Sequence, residues 1–311
     1  MTAPAITFKK RRSPIGRSRG DVVFDAILFV FLTLVFLIVA YPLYFVIISS
    51  FSDPIVVARG GVTFLPVGFT LDGYKAVFKE DTVLRGYANS LMYTAIGVSI
   101  NLLLTIPTGY ALSRKDFFAR GPIMIFYMVT VFIGGGMMPT YLVVRALGMV
   151  NTMWALVIPG SITVYNMVVC RTFFSTNIPD ELLDAAKLDG CGNTRFFTSI
   201  VVPLSAAVTA IMVLYYGVGH WNSYQSALIY LNDRKKWPLQ MELRNILLLN
   251  SIQMTNPVMT PEQLKEKERL EAISEMMKYS LIIVSSVPMM VLYPFIQKYF
   301  VKGVMIGSVK G

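Results

Sequence analysis

Charged and reactive side chains are both scarce in this chain of 311 residues. Only 15% of the residues are charged, against about 25% in an average globular protein, so the surface cannot be solvated on all sides. The 2 cysteines are too few for a disulfide framework. The single histidine, His220, has no nucleophile obviously paired with it, which argues against an intramembrane enzyme. Apolar residues make up 55% of the chain, and their clustering predicts an integral membrane protein.

Positive charge exceeds negative charge, with 28 Lys and Arg against 18 Asp and Glu and a formal net charge of +10. A basic excess of this size can indicate a nucleic-acid partner, but its position argues against one. Residues 1–25 carry a dense group of Lys and Arg immediately before the first apolar run. Basic residues beside a span usually mark the cytoplasmic side of a membrane. We therefore predict a basic cytoplasmic tail over residues 1–25 and no binding of nucleic acid.

Six apolar runs are long enough to cross a bilayer, which requires about 20 helical residues. Because backbone groups cannot remain unpaired in lipid, we expect these runs to be helices. The sequence thus predicts an all-α integral membrane protein with a six-helix transmembrane domain over residues 26–300 and a tail over 301–311. The predicted spans are residues 26–50, 89–113, 122–138, 151–173, 200 to the low 220s, and 277–300.

The distribution of Lys and Arg among the short loops predicts the orientation. These residues are more frequent in the loops on the side of the amino terminus than in those on the opposite side. Short loops carry most of the orientation signal, so we expect both termini to be cytoplasmic. Both cysteines then lie toward the cytosol, where thiols stay reduced. The long loop at 232–276, which mixes both signs of charge, is predicted to lie outside.

The loop at residues 175–199 contains the signals of a short helix. Asn177 can cap its start, Pro179 suits a first turn, and Asp180 and Glu181 suit the positive end of a helix dipole. Gly190 can supply a left-handed stop. This pattern predicts a short cytosolic helix between two spans.

The predicted helix is amphipathic, with Leu182, Leu183 and Ala186 on one face and charged residues mostly on another. Its small residues would let another protein approach closely. The alternative is a helix that rests on the lipid headgroups, and the amino-acid pattern by itself leaves both interpretations open.

A spaced motif runs through this loop. It reads Asp184-Ala185-Ala186, three residues, Gly190, nine residues and then IVVP at 200–203. This pattern resembles the EAA motif of ABC importer permeases, which reads Glu-Ala-Ala, three residues, Gly, nine residues, Ile, one residue and Leu-Pro. The departures are Asp184 in place of Glu and Val202 in place of Leu. Asp184 is one methylene shorter, which affects the reach of an ion pair to an ATPase.

Shorter matches cover almost the whole chain and are similar to the carbohydrate-uptake permeases. The likeness is strongest to the maltose-type second permease and to its oligosaccharide-importing relatives, among them importers of alginate oligosaccharides. It implies the type I ABC importer permease fold in a bacterial plasma (inner) membrane. The matching segments are TLDGY at 70–74, NSL at 89–91, GYALSR at 109–114, HWN at 220–222 and the Lys302-Gly303 pair.

The resemblance also implies a mechanism and a set of partners. In this family a coupling helix sits in a cleft on a cytosolic ATPase, and two homologous permeases share two ATPase subunits. A solute-binding protein delivers the sugar to a cavity that opens alternately to each side. The chain lacks a phosphate-binding loop sequence, so ATP and Mg²⁺ belong to the partner ATPase and this chain is a non-catalytic subunit. The residues expected to dock to the ATPase are Glu181, Asp184, Ala185, Ala186 and Gly190.

Polar residues inside or beside the spans are candidates for the transport path, because such groups usually face a cavity or the bundle interior. If the helix continues through position 222, Trp221 and Gln225 share a face, and aromatic rings beside amides would suit a sugar. The alternatives are hydrogen bonds between helices and an aromatic anchor at the membrane interface. The candidates are Asn101, Asn166, Trp221, Asn222, Tyr224 and Gln225.

The expected cargo is a sugar or oligosaccharide, with an acidic oligosaccharide of the alginate or pectin type as the specific hypothesis. The alternative function is a self-sufficient secondary transporter, which would favour inverted repeats and ionisable residues within the membrane. No repeat is evident, and no Asp, Glu, Lys or Arg stands at the middle of a predicted span. The pattern therefore favours the ATP-driven importer.

Overall fold

The computed structural model describes residues 18–252 and 261–307, and within these ranges all regular secondary structure is helical. Residues 1–17 of the predicted basic tail and 308–311 of the predicted carboxy-terminal tail lie outside the described residues. The helices are α1 (Arg19–Ser50), α2 (Pro54–Ala58), α3 (Asp72–Lys79), α4 (Asp81–Ser113), α5 (Arg120–Phe132), α6 (Met137–Ala146), α7 (Trp154–Val157), α8 (Val164–Asn177), α9 (Asp180–Leu188), α10 (Asn193–Phe196), α11 (Val202–Leu204), α12 (Ala206–Trp221), α13 (Tyr224–Tyr230), α14 (Leu239–Ile252) and α15 (Pro261–Gly307). A π-helical turn, Phe197–Val201, joins α10 to α11, and a 3₁₀ turn, Arg234–Lys236, precedes α14.

Helix α4 lies at the centre of the fold and packs against α8, α12 and α14. Several of the residues that it buries are small, among them Gly86, Gly97 and Gly109. A Cβ atom on Gly109 would lie 2.6 Å from Cβ of Cys170 in α8, and one on Gly97 would lie 2.5 Å from Nε2 of His220 in α12. Gly109 therefore lets α4 and α8 approach at backbone distance, as is common where membrane helices cross, and Gly97 leaves room for the His220 ring.

Helix α1 is held mainly through its end. The most apolar window of this helix has no buried residue, whereas Ile48, Ser49 and Ser50 at its end are buried. Phe45 meets Tyr279 of α15 edge to face, with 5.9 Å between ring centroids. The end of α1 and the early part of α15 therefore lie together, and the rest of α1 presents apolar side chains outward.

Two of the predicted spans are bent rather than straight. The prediction of a third span over residues 122–138 is wrong as a single helix, because α5 and α6 meet at 118°. The glycines at 134–136 separate them, and Gly136 adopts a φ of 78°, which glycine tolerates without a steric penalty. In the fifth span, the helical stretch Asn193–Leu204 and α12 meet at 77°.

The bend before α12 has a local cause. Pro203 has no backbone N–H, so it cannot donate the helical hydrogen bond four residues back. The preceding turn widens into the π-helical segment Phe197–Val201, and the Ser205 hydroxyl donates to the carbonyl of Val201. Such turns are a common way to absorb a missing helical bond.

The fourth predicted span, residues 151–173, is divided in the structure. Helix α7 ends at Val157 and α8 begins at Val164, and residues 158–163 between them are not helical. Within the described residues, three helices are long and apolar enough to span a membrane, or five if each bent pair counts as one span. The described residues therefore form an all-helical structure with apolar helices long enough to cross a membrane, in which several of the predicted spans are interrupted.

The close approach at Gly109 predicts a clear effect of substitution. We expect Gly109→Ala to lower the thermal stability of the purified protein, because the added methyl must separate α4 from Cys170 and from the Arg171 amide, 3.2 Å away. Overpacking of this kind typically costs about 1–3 kcal/mol. The measurement is the apparent Tm in detergent.

The matched control is Gly121→Ala in α5, where an added Cβ has nothing within 4 Å. This change should leave the Tm unchanged or raise it, because alanine favours helices more than glycine does. Equal Tm values for the Gly109 variant and the wild-type protein would contradict the proposed packing.

Candidate functional site

Helix α9 lies in the loop that carries the spaced motif, and its bounds are Asp180–Leu188. Asp180 and Glu181 occupy its first turn and Lys187 its last, so the charges match the helix dipole at both ends. The prediction that Asn177 caps this helix is wrong. Asn177 is the last residue of α8, and its Nδ2 donates to the Phe173 carbonyl at 2.9 Å.

Gly190 ends α9 with the predicted left-handed turn, at a φ of 72°. Its N–H donates to the Lys187 carbonyl at 3.0 Å, and the N–H of Cys191 donates to the Ala186 carbonyl at 2.9 Å. These two bonds form a Schellman motif, which satisfies the last carbonyls of a helix. The direction in which the chain leaves α9 therefore depends on the backbone freedom of one glycine.

The two faces of α9 have different surroundings. Leu182 and Leu183 pack against a core that includes Phe174 and Phe196, and Ala186 is buried within it at 7% exposed. Ala186 was expected to dock to an ATPase, but its side chain faces the interior of this chain. The other expected docking residues are exposed, and they share the outer side with Leu188, which is 89% exposed: Glu181, Asp184, Ala185 and Gly190.

The loop between α4 and α5 holds both ends of α9 through ion pairs. Lys115 Nζ lies 2.7 Å from Oδ2 of Asp180 at the start of α9. Lys187 Nζ, in the last turn, lies 3.8 Å from Oδ2 of Asp116. Asp116 in turn receives two hydrogen bonds from the Arg114 guanidinium. The loop thus connects the end of α4 to α9.

These groups also shift the titration of one another. Hydrogen bonds from Arg114 lower the pKa of Asp116, and the hydrogen bond to Asp180 raises the pKa of Lys115. The same partner, Asp116, raises the pKa of Arg114, whose Nη1 also donates to the Tyr110 hydroxyl at 2.8 Å. Each shift favours the charged form, so Arg114, Lys115 and Asp116 stay charged around neutral pH.

A cavity of about 220 Å³ lies between the start of α9, the end of α4 and the end of α8. Its walls combine aromatic and aliphatic side chains with the hydroxyls of Tyr110, Ser113 and Ser175. Direct packing under the first turn of α9 is therefore incomplete. The ion pair between Lys115 and Asp180 bridges this end of the helix to the α4–α5 loop.

The predicted path residue Asn101 is buried in α4 and links three parts of the fold. Its Nδ2 donates to the carbonyl of Ser161, in the non-helical segment between α7 and α8, at 2.6 Å. Its Oδ1 lies 2.6 Å from Nε2 of His220 in α12. Asn166, also predicted for the path, is buried in α8 at 6% exposed. The surroundings of Asn101 match the alternative interpretation, hydrogen bonding between helices.

The residues predicted near position 221 separate into two groups. The condition under which Trp221 and Gln225 would share a face is not met, because α12 ends at Trp221 and α13 begins at Tyr224. Trp221 is 2% exposed, and its Nε1 donates to the Ser285 carbonyl in α15 at 2.9 Å. Asn222, Tyr224 and Gln225 are exposed and remain available for contact with another molecule.

At the opposite end of α4, a segment that sequence reasoning placed in a solvated outer loop is firmly attached. Asn89 Nδ2 donates to the carbonyls of Lys235 and Trp237 at 2.9 and 3.0 Å. Glu242, only 1% exposed, accepts two hydrogen bonds from Arg234 at 3.0 and 2.9 Å. An acidic residue among the apolar residues of α14 is the signal that could have indicated this buried carboxylate and its ion pair.

Comparison with known proteins places this geometry in a family, although no protein-family model matches the chain. The polygalacturonan/rhamnogalacturonan transport system permease protein YtcP of Bacillus subtilis (strain 168) is 37% identical over 295 residues, covering 93% of this chain and 99% of the relative. Protein LplC of the same organism is also 37% identical, over 94% of this chain and 97% of the relative.

A solved structure agrees with these relatives. It is the crystal structure of a bacterial ABC transporter involved in the import of the acidic polysaccharide alginate. The match has a TM-score of 0.82 and 26% sequence identity, and it covers 92% of this chain and 99% of the matched chain. The spaced motif, the short helix between interrupted spans and the identity to sugar permeases along nearly the whole chain agree, and the chain belongs to the permease subunits of sugar-importing ABC transporters.

Proposed function

We propose that this permease imports an acidic oligosaccharide across the bacterial inner membrane, driven by ATP that a separate ATPase binds with Mg²⁺ and hydrolyses. The complete importer contains a second homologous permease, two ATPase subunits and a solute-binding protein on the outer side. The observation that carries this proposal is α9, whose exposed side bears Glu181, Asp184 and Ala185 while its inner side is fixed to the membrane domain.

In this mechanism α9 is the coupling helix. The exposed carboxylates of Glu181 and Asp184 attract cationic side chains of the ATPase, and Leu188 offers an apolar contact beside them. Ala185 allows close approach from outside. Ala186 acts on the inner side, where a small side chain lets α9 lie close to its own membrane domain. When the ATPase dimer closes, it displaces α9, and the displacement reaches the membrane domain through the core around Ala186 and Phe174, while the loop after α4 holds the helix ends.

The proposed topology has six crossings with both termini in the cytoplasm. The end of α1 lies beside the early part of α15, which supports opposite directions for these two helices. The ends of α4 and α8 meet at α9, where the Arg171 Nε donates to the Leu112 carbonyl at 3.1 Å. Because α4 and α8 both end on this side, the chain between them has to cross the membrane and return. This supports one interrupted crossing by α5–α6 and another by α7–α8. The basic loop at 114–120 supports a cytoplasmic position for α9.

The proposed cargo follows from the relatives. One is a polygalacturonan/rhamnogalacturonan permease, and the solved structure comes from a transporter for the acidic polysaccharide alginate. Galacturonan and alginate are both built of uronate units that carry carboxylates. Oligosaccharides derived from pectin or alginate are therefore the first substrates to test.

The partners can be tested directly. We expect the tagged chain, extracted gently from its native membrane, to retain a P-loop ATPase and a second permease, because neither ATP binding nor a complete cavity is expected from one permease. Mass spectrometry of the purified complex checks this. Recovery of the chain alone, together with sugar uptake by that chain alone in liposomes, would instead support a secondary transporter.

The turn at Gly190 gives a sharp test of the coupling helix. We expect Gly190→Pro to abolish uptake while the protein remains inserted, because proline cannot adopt a φ of 72° and cannot donate to the Lys187 carbonyl. The measurements are sugar uptake, binding-protein-stimulated ATPase activity and the amount of protein in the membrane.

Gly192→Pro is the matched control two residues away. Gly192 has a φ of −74° and open space around its Cβ direction, so proline fits there and transport should persist. Normal uptake by the Gly190→Pro variant would exclude α9 as the coupling helix.

The ion pair between Lys115 and Asp180 gives a second test. We expect Lys115→Asp and Asp180→Lys each to lower the sugar delivered per ATP, and the double variant to recover it, because the exchanged charges attract again. The loss should be partial, since exposed ion pairs are weak.

The control is the exposed pair of Lys75 and Asp72 near the start of α4, 3.2 Å apart, whose reversal should leave coupling unchanged. A double variant no better than its single variants would contradict this role.

A further inference from the structure

The break between α7 and α8 lies at membrane depth. Helix α8 has 14 residues and therefore extends about 21 Å from its end near α9 to residue 164. The hydrocarbon layer of a bilayer is about 30 Å thick. Residues 158–163 thus lie well inside this layer in the proposed topology.

Non-helical backbone at such depth is tolerated only where it is buried in protein or lines water, because lipid offers no hydrogen bonds. Part of the break is satisfied within the chain. Asn101 bonds the Ser161 carbonyl, and the Thr163 N–H donates to the Tyr216 hydroxyl at 3.4 Å. Gly160 and Thr163 nevertheless remain exposed, so this side of the break faces water or another protein rather than lipid.

Two tyrosines stand beside the exposed side of the break. Tyr165, in the first turn of α8, is 64% exposed, and Tyr215, in α12, is 43% exposed. Their ring centroids are 6.4 Å apart, with an interplanar angle of 47°. Tyr215 lies six residues before Trp221, about 9 Å along the helix. Exposed tyrosine in membrane proteins is usual at the interfaces, so at this depth the pair indicates an aqueous cavity.

The exposed surface continues along α12 toward its end. Gly219 and Asn222 follow Tyr215 at i+4 and i+7, which places the three residues on one stripe. Both are exposed, and a Cβ on Gly219 would meet nothing within 4 Å. The stripe therefore offers an aromatic ring, an open space and an amide in sequence.

We infer that Tyr165 and Tyr215 are the residues of this chain that contact the sugar in the membrane cavity. A pyranose ring has an apolar C–H face that can rest on the electron-rich face of an aromatic ring. The Thr163 hydroxyl and the Asn222 amide can donate hydrogen bonds to sugar hydroxyls or carboxylates. This inference rests on the proposed function and adds the side chains that touch the cargo.

The first experiment tests whether the surface faces water, without any sugar. In a Cys191→Ala background, with the buried Cys170 retained, Tyr215→Cys should react with a charged, membrane-impermeant thiosulfonate in the assembled transporter. Phe36→Cys in α1, at a position 67% exposed, should not react, because that face of α1 meets lipid or protein. Failure of Tyr215→Cys to react in both the nucleotide-free and the ATP-bound states would overturn the inference.

The second experiment tests contact with sugar in proteoliposomes that contain the complete transporter and its binding protein. The probes are trigalacturonate, an alginate trisaccharide and maltotriose. We expect Tyr165→Ala and Tyr215→Ala to keep the ATPase activity stimulated by the loaded binding protein. The sugar delivered per ATP should fall by about three- to tenfold, and the Phe variants, which keep the ring, should deliver nearly as much as the wild type.

The outcomes separate this inference from the proposed function. Unchanged delivery by the Ala variants would refute the contact, while the importer assignment would stand. Loss of both ATPase stimulation and delivery, in the Phe variants as well, would show a packing role and also refute it. A wild-type transporter that carries none of the three probes would refute the proposed cargo class and, with it, this inference.

Discussion

The structure depends on the backbone-distance packing of α4 against its neighbours. Lipid provides no hydrophobic gain when two apolar helices meet, so contact must come from close packing and hydrogen bonds. Gly109 allows such packing at Cys170, and Gly86 allows it at Leu239, whose backbone would lie 3.3 Å from an added Cβ. Gly97 leaves room for the His220 ring. One helix thereby fixes the positions of α8, α12 and the start of α14.

This arrangement gives α9 a short physical route to the membrane interior. The loop after α4 bonds both ends of α9, and α4 carries Asn101, which holds the carbonyl of Ser161 at the break. The exposed ion pairs at the loop contribute little energy individually. In the proposed mechanism, movement of α9 is therefore transmitted mainly by the packed core around Ala186 and Phe174, with the ion pairs setting the position of the helix ends.

Local rules predicted α9 well and the interior poorly. The presence of α9, its two faces and the Gly190 stop follow from residues within one short segment, although the helix starts at Asp180 and is not capped by Asn177. Hydropathy is averaged over a whole span, which conceals the bend at Gly136 and the break before Val164. The burial of Trp221 depends on the Ser285 carbonyl, 64 positions away, and no local pattern carries that contact.

The buried and exposed polar groups of the membrane domain have different tasks. The side chains of Asn101 and Trp221 are bonded within the chain, as are those of Thr105 and Tyr216, whose hydroxyls are 2.7 Å apart. To offer such a group to a sugar would leave its partner unsatisfied, at a cost of about 1–3 kcal/mol. A transport path requires groups that can bind and release cargo without disturbing the fold. We therefore expect such a path to use polar side chains that this chain leaves exposed, such as Asn222, rather than those that hold its helices together.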